Sequence, residues 1–304
     1  METSTSSFNI LSLDGGGLRG IFTAAVLAEA ELAFDDSFID SFNLIVGTST
    51  GGLIALGLAS GLTCKEVLSF YQELGLQVFR HPRRLSRLFR PKYDRAVLDS
   101  ILRDKFGETA KMNDLTKPVC ITSHELVSGT SRVWKDDHSP ELRWGGDQLI
   151  WKVAAATSAA PTYLAPVQLG DADSQVDGGV WGNNPALVGI TEAVRYGGRS
   201  LSDIRLLSIG TTNRPLRIER HAAAEHFGLL AWLTRSIELL QGASAGSVNN
   251  QAKLLLGEDS FLRIDSDRAQ KVALDDYRQC APLQEWGHDL GRRSISRIGR
   301  LLDL

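Results

Sequence analysis

Two glycine-rich segments near the amino terminus of the chain contain residues that could do chemistry. The first, LSLDGGGLRGIF at residues 11–22, places Gly15, Gly17 and Gly20 in the spacing of loops that wrap a dinucleotide pyrophosphate. Such a loop also needs an acidic residue about 20 positions further on, at the end of the second strand. Here the acidic residues of that region, the last of which is Asp40, all precede the strand. Dinucleotide binding is therefore an open alternative that lacks its usual partner residue.

The second segment, GTSTG at residues 47–51, places Ser49 between Gly47 and Gly51. A buried apolar strand, FNLIVG, precedes it and a helix of small residues follows, which is the setting in which a nucleophilic serine is presented on a sharp turn. The two glycines are needed because side chains there would collide with neighbouring backbone. The Ser49 hydroxyl then lies at a helix amino terminus, where free N–H groups and the helix dipole favour developing negative charge. The alternative is a serine that only caps the helix.

A nucleophilic serine needs a base, and the sequence offers two kinds. The histidines from His221 onward lie in helix-forming or carboxyl-terminal stretches that do not suit a catalytic triad, and the earlier ones precede the likely acid. Asp177 suits the role better, because it ends a predicted strand and precedes Gly178 and Gly179, which leave room beside a nucleophile. In a partly dry site its carboxylate can take the hydroxyl proton directly. The alternative is an ordinary Asp-Gly turn.

The first glycine loop acquires a chemical use beside this pair. A glycine-rich turn ahead of a helix offers backbone N–H groups to an anion, and a tetrahedral oxyanion serves as well as a phosphate. The predicted donors are Gly15, Gly16 and Gly17. Arg19 adds positive charge or fixes the loop, unless it is a plain surface arginine.

Strand and helix patterns alternate along the chain in a way that would position these residues together. Predicted strands lie at 8–13, 42–47, 118–126, 204–210 and 261–265, and predicted helices at 18–34, 63–77, 94–105, 148–157, 185–196 and 222–256. Strand, glycine turn and helix, twice in succession, predict a parallel sheet with crossover helices. We expect one domain over residues 1–304, with a core at about 8–265 and a helical carboxyl-terminal segment at about 266–304.

The composition excludes several classes of protein. The chain has 304 residues, of which 43% are hydrophobic and 23% charged, with a net charge of -3, as expected of a globular protein and not of a disordered or fibrous one. The first residues show no secretory signal, and no apolar run is long enough for a membrane span, so a cytoplasmic location is predicted. The three cysteines are predicted to be free thiols. No metal-ligand spacing is present, and we expect no metal, no cofactor and no nucleic-acid polymer as partner.

Three motifs in order, DGGGLRG, GTSTG and DGG, resemble those of the patatin-like phospholipase family. The similarity extends to ATSAAPTYLAP at 156–166, to LLSIGTT and to FLRID, so it covers roughly residues 8–265. The resemblance implies a three-layer α/β/α fold with a mainly parallel central sheet and a helical cap. It also implies hydrolysis of fatty acyl esters in phospholipids or other lipids by a Ser-Asp dyad that uses neither histidine nor metal.

Carried over to this sequence, the resemblance makes Ser49 the nucleophile, Asp177 the general base and the first glycine loop the oxyanion site. The size and pattern of the chain also resemble bacterial phospholipase effectors that cyclic oligonucleotides switch on during phage infection. That likeness implies a cyclic oligonucleotide activator and a role in antiviral defence. A nucleotide-binding module and a catalytically idle scaffold of the same fold remain alternatives, and the oligomeric state is not predicted.

A basic run, RHPRRLSRLFRPKYD, contains no acidic residue before its last position. Its arginines alternate with apolar residues between two predicted helices, which suits contact with anionic lipid headgroups or with a phosphate-bearing ligand that gates the pocket. The residues predicted to make such contacts are Arg80, Arg83, Arg84 and Arg87. A chain of this kind would act at the inner face of the membrane as a peripheral protein. The alternative is a solvated basic surface.

Overall fold

The computed structural model describes residues 7–35, 37–80, 82, 89–142, 145–170, 173–212, 229–266 and 272–304, with the backbone alone over 229–238. Its strands are β1 (Phe8–Leu13), β2 (Leu44–Thr48), β3 (Val119–Glu125), β4 (Thr130–Lys135), β5 (Gln175–Asp177), β6 (Ile204–Ile209) and β7 (Phe261–Ile264). Its helices are α1 (Gly20–Phe34), α2 (Ser37–Asp40), α3 (Thr50–Ala59), α4 (Cys64–Val78), α5 (Arg95–Phe106), α6 (Ile150–Thr157), α7 (Gly179–Gly182), α8 (Ala186–Arg195), α9 (Leu229–Leu256) and α10 (Cys280–Leu302).

The seven strands form one sheet in the order β4-β3-β2-β1-β6-β7, with β5 paired to β3 outside this path. Strands β1, β2, β3, β6 and β7 run parallel, whereas β4 and β5 are antiparallel to β3. The five predicted strands and the parallel sheet are thus confirmed. The predicted helices are also present, although the first part of the segment predicted as a helix at 222–256 lies outside the described residues.

Helices cover both faces of the sheet, and the strands show why. Along β1, Leu11 and Leu13 pack on one side with α1, α3, α4, α5, α6 and α10, while Ile10 packs on the other side with α8 and α9. Because side chains of a strand alternate between faces, a sheet buried on both sides needs apolar residues at nearly every position. The strand FNILSL meets that need, and the result is the expected three-layer α/β/α fold.

The carboxyl-terminal helix α10 belongs to the same hydrophobic core, since Leu283 and Ile298 are fully buried within it. Two glycines one turn apart let α10 approach α1 closely. A Cβ at Gly287 would lie 2.5 Å from the Phe22 carbonyl oxygen, and one at Gly291 would lie 2.9 Å from Glu29 Cβ. The segment in which the sequence showed no motif is therefore held by a close helix–helix contact.

Strand β5 brings its carboxyl end next to the carboxyl end of β2. Because β4 pairs with β3 along one edge of that strand, β5 must pair with the opposite edge, which β2 also uses. Thr48, the last residue of β2, pairs with Thr122, and Asp177, the last residue of β5, pairs with the next residue, Ser123. The carboxyl ends of β2 and β5 therefore face each other along the same edge of β3.

Among the described residues, none of the helices combines the length and the apolar character that crossing a membrane would require.

Candidate active site

Ser49 occupies a strained turn between β2 and α3. Its backbone has φ 53° and ψ -120°, a region that costs a residue other than glycine about 1–3 kcal/mol. The flanking glycines make the turn possible, because a Cβ at Gly47 would lie 2.3 Å from the Gly51 carbonyl oxygen, and one at Gly51 would lie 2.1 Å from the Leu13 carbonyl oxygen. The Ser49 side chain does not cap α3, so the simple capping alternative does not describe this residue.

The Ser49 hydroxyl instead donates a hydrogen bond of 2.5 Å from Oγ to Asp177 Oδ2. The two residues are 128 positions apart in the chain and meet because the carboxyl ends of β2 and β5 face each other along the same edge of β3. The Ser49 backbone N–H donates to Thr157 Oγ1 at 2.8 Å, which fixes the turn from the side of α6. A serine hydroxyl that donates to a buried carboxylate has the geometry that a nucleophile and its base require.

Asp177 is buried, and its carboxyl group is held by hydrogen bonds. Its Oδ1 accepts the Gly179 N–H at 2.7 Å, and a Cβ at Gly178 would lie 2.1 Å from Thr122 Oγ1, so the DGG sequence is required by close packing. Burial raises the pKa of the Asp177 carboxyl from 3.8 to about 6, although the bonds from Ser49 and Gly179 oppose the rise. A carboxylate poised in this way is ionised at neutral pH and is a stronger base than an exposed one.

The glycine loop lies beside this pair, and its three predicted donors are not equivalent. The Gly15 N–H donates to the Asn183 carbonyl oxygen at 2.9 Å, which removes Gly15 from the predicted set of oxyanion donors. No described residue accepts the N–H of Gly16 or Gly17, and both glycines line the cavity over Ser49. Backbone donors without a partner at such a position can bind an oxyanion.

Packing on the far side of the loop explains its glycines. A Cβ at Gly16 would lie 2.2 Å from Thr211 Oγ1, and a Cβ at Gly17 would lie 2.4 Å from the Leu274 carbonyl oxygen. Gly17 also has φ 57°, a backbone conformation that favours glycine. Arg19 is buried, and its Nε donates to the Gly16 carbonyl oxygen at 3.2 Å. Of the two predicted roles for Arg19, fixing the loop is the one its contacts support, and it is not a surface residue.

The residue before the loop, Asp14, anchors it in a buried ion pair that the sequence did not reveal. Arg263 of β7 donates to Asp14 from both terminal nitrogens, at 3.0 Å to Oδ1 and 2.6 Å to Oδ2, and also contacts Asp265 at 2.6 Å. The neighbouring carboxylates raise the pKa of Arg263, so the guanidinium stays charged. Only the Asp preceding the glycines and the Arg inside FLRID could have signalled this contact.

A largely apolar cavity opens over Ser49 and Asp177. The space between its walls is about 770 Å³ when the open solvent at its mouth is counted. Its apolar walls come from several helices and loops and include Leu53, Leu74, Phe79, Leu98, Leu164 and Val180. No histidine is among its described lining residues, and within the described residues no group of three or more potential ligands could hold a metal ion.

Sequence reasoning missed several polar residues that organise this site. Thr157 and Asn183 hold the turn and the loop through contacts that link distant segments. Thr211, after β6, donates from Oγ1 to the Gly15 carbonyl oxygen at 2.9 Å, and Gln241 of α9 lines the cavity. Each is a common surface residue type without local periodicity, so only the fold reveals its place.

The predicted basic contact region is only partly described. Arg80 is exposed directly after α4, whereas Arg83, Arg84 and Arg87 lie outside the described residues. At the end of the run, Lys92 forms an ion pair with Asp275, which also accepts a hydrogen bond of 2.5 Å from the Tyr93 hydroxyl. Lys92 thus binds the segment that follows β7. The same segment contacts the glycine loop through the Leu274 carbonyl oxygen, which accepts the Leu18 N–H.

Residues 11–190 match the patatin-like phospholipase family, and the chain belongs to that family. A cGAMP-activated phospholipase of Vibrio cholerae is 33% identical over 304 aligned residues, which cover 90% of this chain and 86% of that protein. A second cGAMP-activated phospholipase, from Pseudomonas aeruginosa, is 32% identical and covers 85% of this chain and 78% of its own length. Patatin-like protein 4 of Arabidopsis thaliana is 31% identical, with 88% and 78% covered.

Proposed function

We propose that the protein is a lipid acyl hydrolase of the phospholipase A type that uses Ser49 and Asp177 as its catalytic dyad. The observation that carries the proposal is the 2.5 Å hydrogen bond between Ser49 Oγ and Asp177 Oδ2 at the floor of an apolar cavity. Membership of the patatin-like phospholipase family supports the class of reaction. An apolar cavity supports a fatty acyl chain as the group that enters it.

In the proposed reaction, Ser49 Oγ attacks the carbonyl carbon of the ester while Asp177 accepts the hydroxyl proton. The tetrahedral oxyanion binds the N–H groups of Gly16 and Gly17, aided by the amino terminus of α3. Collapse of this intermediate breaks the ester bond, and the departing alcohol takes the proton from Asp177. Water, deprotonated by the same carboxylate, then attacks the acyl-serine, and the bond to Ser49 Oγ breaks as Asp177 returns the proton to it, which releases the free fatty acid.

The names of two relatives supply the candidate for regulation. Because these proteins are described as cGAMP-activated and align with most of this chain, we propose that a cyclic oligonucleotide also activates this protein. The activity would then be expressed in the cytoplasm, at the inner face of the membrane, during antiviral defence. The basic run remains the proposed contact for anionic headgroups or for the activator, through Arg80, Arg83, Arg84 and Arg87.

Fatty acid release from phospholipid vesicles tests the proposal directly, with and without added cGAMP. We expect Ser49→Ala and Asp177→Asn each to lower the rate by about 10³-fold or more, with a double variant little worse because the two residues act as one unit. Ser158→Ala is the matched control, since Ser158 also lines the cavity but donates to the Ala154 carbonyl oxygen. Full activity in Asp177→Asn would rule out the dyad, and an unchanged rate with cGAMP would rule out that activator.

A further inference from the structure

A second apolar groove lies next to the catalytic cavity, and the two share a wall. Pro161, Leu164 and Val180 line both spaces, so they form a ridge between them. Beyond the ridge, the groove is lined by Pro91, Leu126, Thr162, Pro166, Val176 and Trp181. We propose that this groove holds the second acyl chain of a diacyl phospholipid whose first chain occupies the catalytic cavity, an inference that rests on the proposed function.

The position of the groove follows from the strand that carries the proposed base. Val176 lines the groove and its neighbour Asp177 lines the catalytic cavity, so one short strand contributes to both. Val180, at the start of the following helix, is half exposed on the ridge itself. A lipid with its reacting ester at Ser49 therefore has the groove immediately across the ridge.

The walls of the groove are fixed by hydrogen bonds, so the groove is present before a ligand binds. The Trp181 indole Nε1 donates to the Ser123 carbonyl oxygen at 2.9 Å. The segment after Pro91 is tied to the ridge by two backbone bonds, from the Lys92 N–H to the Thr162 carbonyl oxygen at 3.0 Å and from the Tyr93 N–H to the Tyr163 carbonyl oxygen at 2.9 Å. A preformed apolar site loses little free energy in ordering itself around a ligand.

The chemistry of the lining favours a hydrocarbon chain. Among its described residues the groove has no Asp, Glu, Lys or Arg, and His124 is its only ionisable side chain. In a diacyl phospholipid the two ester-linked chains leave adjacent carbons of glycerol, so two apolar channels divided by one ridge match its shape. A lipid with a single chain would leave the groove empty and gain nothing from it.

Leu126 gives the sharpest test, because its side chain lines the groove while that of the next residue, Val127, does not. Both are exposed, at 50% and 72%, so neither substitution removes buried core. We measure kcat/KM for a diacyl phosphatidylcholine and for a lysophosphatidylcholine, each in micelles of a nonionic detergent. Leu126→Asp should lower the diacyl value about tenfold and leave the lyso value within about twofold, since it costs the binding of a few methylenes. Val127→Asp should leave both values unchanged.

A second variant separates this groove from a surface that merely touches the membrane. Leu126→Trp fills the groove but makes the surface more apolar. If the groove holds the second chain, the diacyl rate should fall; if this surface only touches the membrane, the diacyl rate should rise. Equal effects on both lipids, or an equal effect of Val127→Asp, would overturn the groove as a site for the second chain. If the unsubstituted protein hydrolyses neither lipid, with or without cGAMP, the proposed function itself has failed.

Discussion

At the scale of single residues, one buried carboxyl group lowers the stability of the folded protein when it is ionised. Asp177 is buried, and this burial raises the pKa of its carboxyl to about 6. Ser49 adds a strained backbone next to it. Both features oppose folding and both serve the proposed chemistry, as expected where activity and stability compete.

We predict that Asp177→Asn stabilises the folded protein at neutral and alkaline pH. The folded carboxyl keeps its proton up to about pH 6, whereas the unfolded one loses it near 3.8. The folded state therefore binds more protons between these values, and the stability that Asp177 contributes is lost as the pH rises through this window. An amide keeps a donor for Ser49 and an acceptor for Gly179 without the charge.

The expected gain in the free energy of unfolding is on the order of 2–3 kcal/mol at about pH 8, since each pKa unit is worth about 1.4 kcal/mol, and it should shrink towards zero at about pH 4. Denaturant unfolding of the two proteins at both pH values provides the measurement. An Asp177→Asn variant that is less stable than its parent at the higher pH would show that the carboxyl is not destabilised by burial.

Sequence patterns predicted the proposed roles of these residues, but not the residues that they contact. Ser49 and Asp177 follow from local signals, a GxSxG turn after an apolar strand and a DGG turn. The exclusion of Gly15 as a donor does not, because it depends on the Asn183 carbonyl oxygen, 168 positions away. Contacts between distant segments leave no local periodicity, and a sequence without its fold cannot show them.

At the scale of elements, the parallel strands were predicted over their length, whereas β4 was not predicted and β5 was expected only as a strand end at Asp177. The central strands are buried on both faces and read as continuous apolar runs. Strand β4 lies at the edge of the sheet with an exposed or half-exposed sequence, TSRVWK, and β5 has only three residues. Yet β5 is the element that brings Asp177 to Ser49, so the most consequential strand has the weakest signal.

The glycine loop depends on a contact between elements, the buried pair of Asp14 and Arg263. We predict that Arg263→Met lowers the free energy of unfolding by about 3–5 kcal/mol, because it leaves a buried carboxyl without its partner. Lys111→Met is the matched control, since it removes an ion pair with Asp147 in which both side chains are at least half exposed. That control should not change the stability measurably, because solvent screens exposed pairs.

Thermal and denaturant unfolding at neutral pH measure both variants. A fall in stability that is equally small for Arg263→Met and for Lys111→Met would mean that the pair does not anchor the loop. Activity on a soluble ester should fall with the stability in Arg263→Met only, because the loop that carries Gly16 and Gly17 begins at Asp14.

At the scale of the whole molecule, the proposed catalytic residues lie at the carboxyl ends of strands in one sheet, where ligands of open α/β sheets bind. Strands β1 and β2 and the antiparallel β5 bring the glycine loop, Ser49 and Asp177 to one edge, and helices α3, α4, α5, α7 and α9 contribute to the walls of the cavity over them. Helix α10 packs on α1, and the segment before it reaches the loop through Leu274. One continuous fold thus supports the site.

The proposed activation of Ser49 by Asp177 is tested most directly by covalent labelling. A fluorophosphonate probe reacts with activated serines, and mass spectrometry of the digested protein locates the label. We predict that the label lies on Ser49, that Ser49→Ala takes none, and that Asp177→Asn reacts at least about 100-fold more slowly, with and without cGAMP. A label on another serine would show that Ser49 is not the nucleophile, and an unchanged labelling rate in Asp177→Asn would show that Asp177 does not activate it.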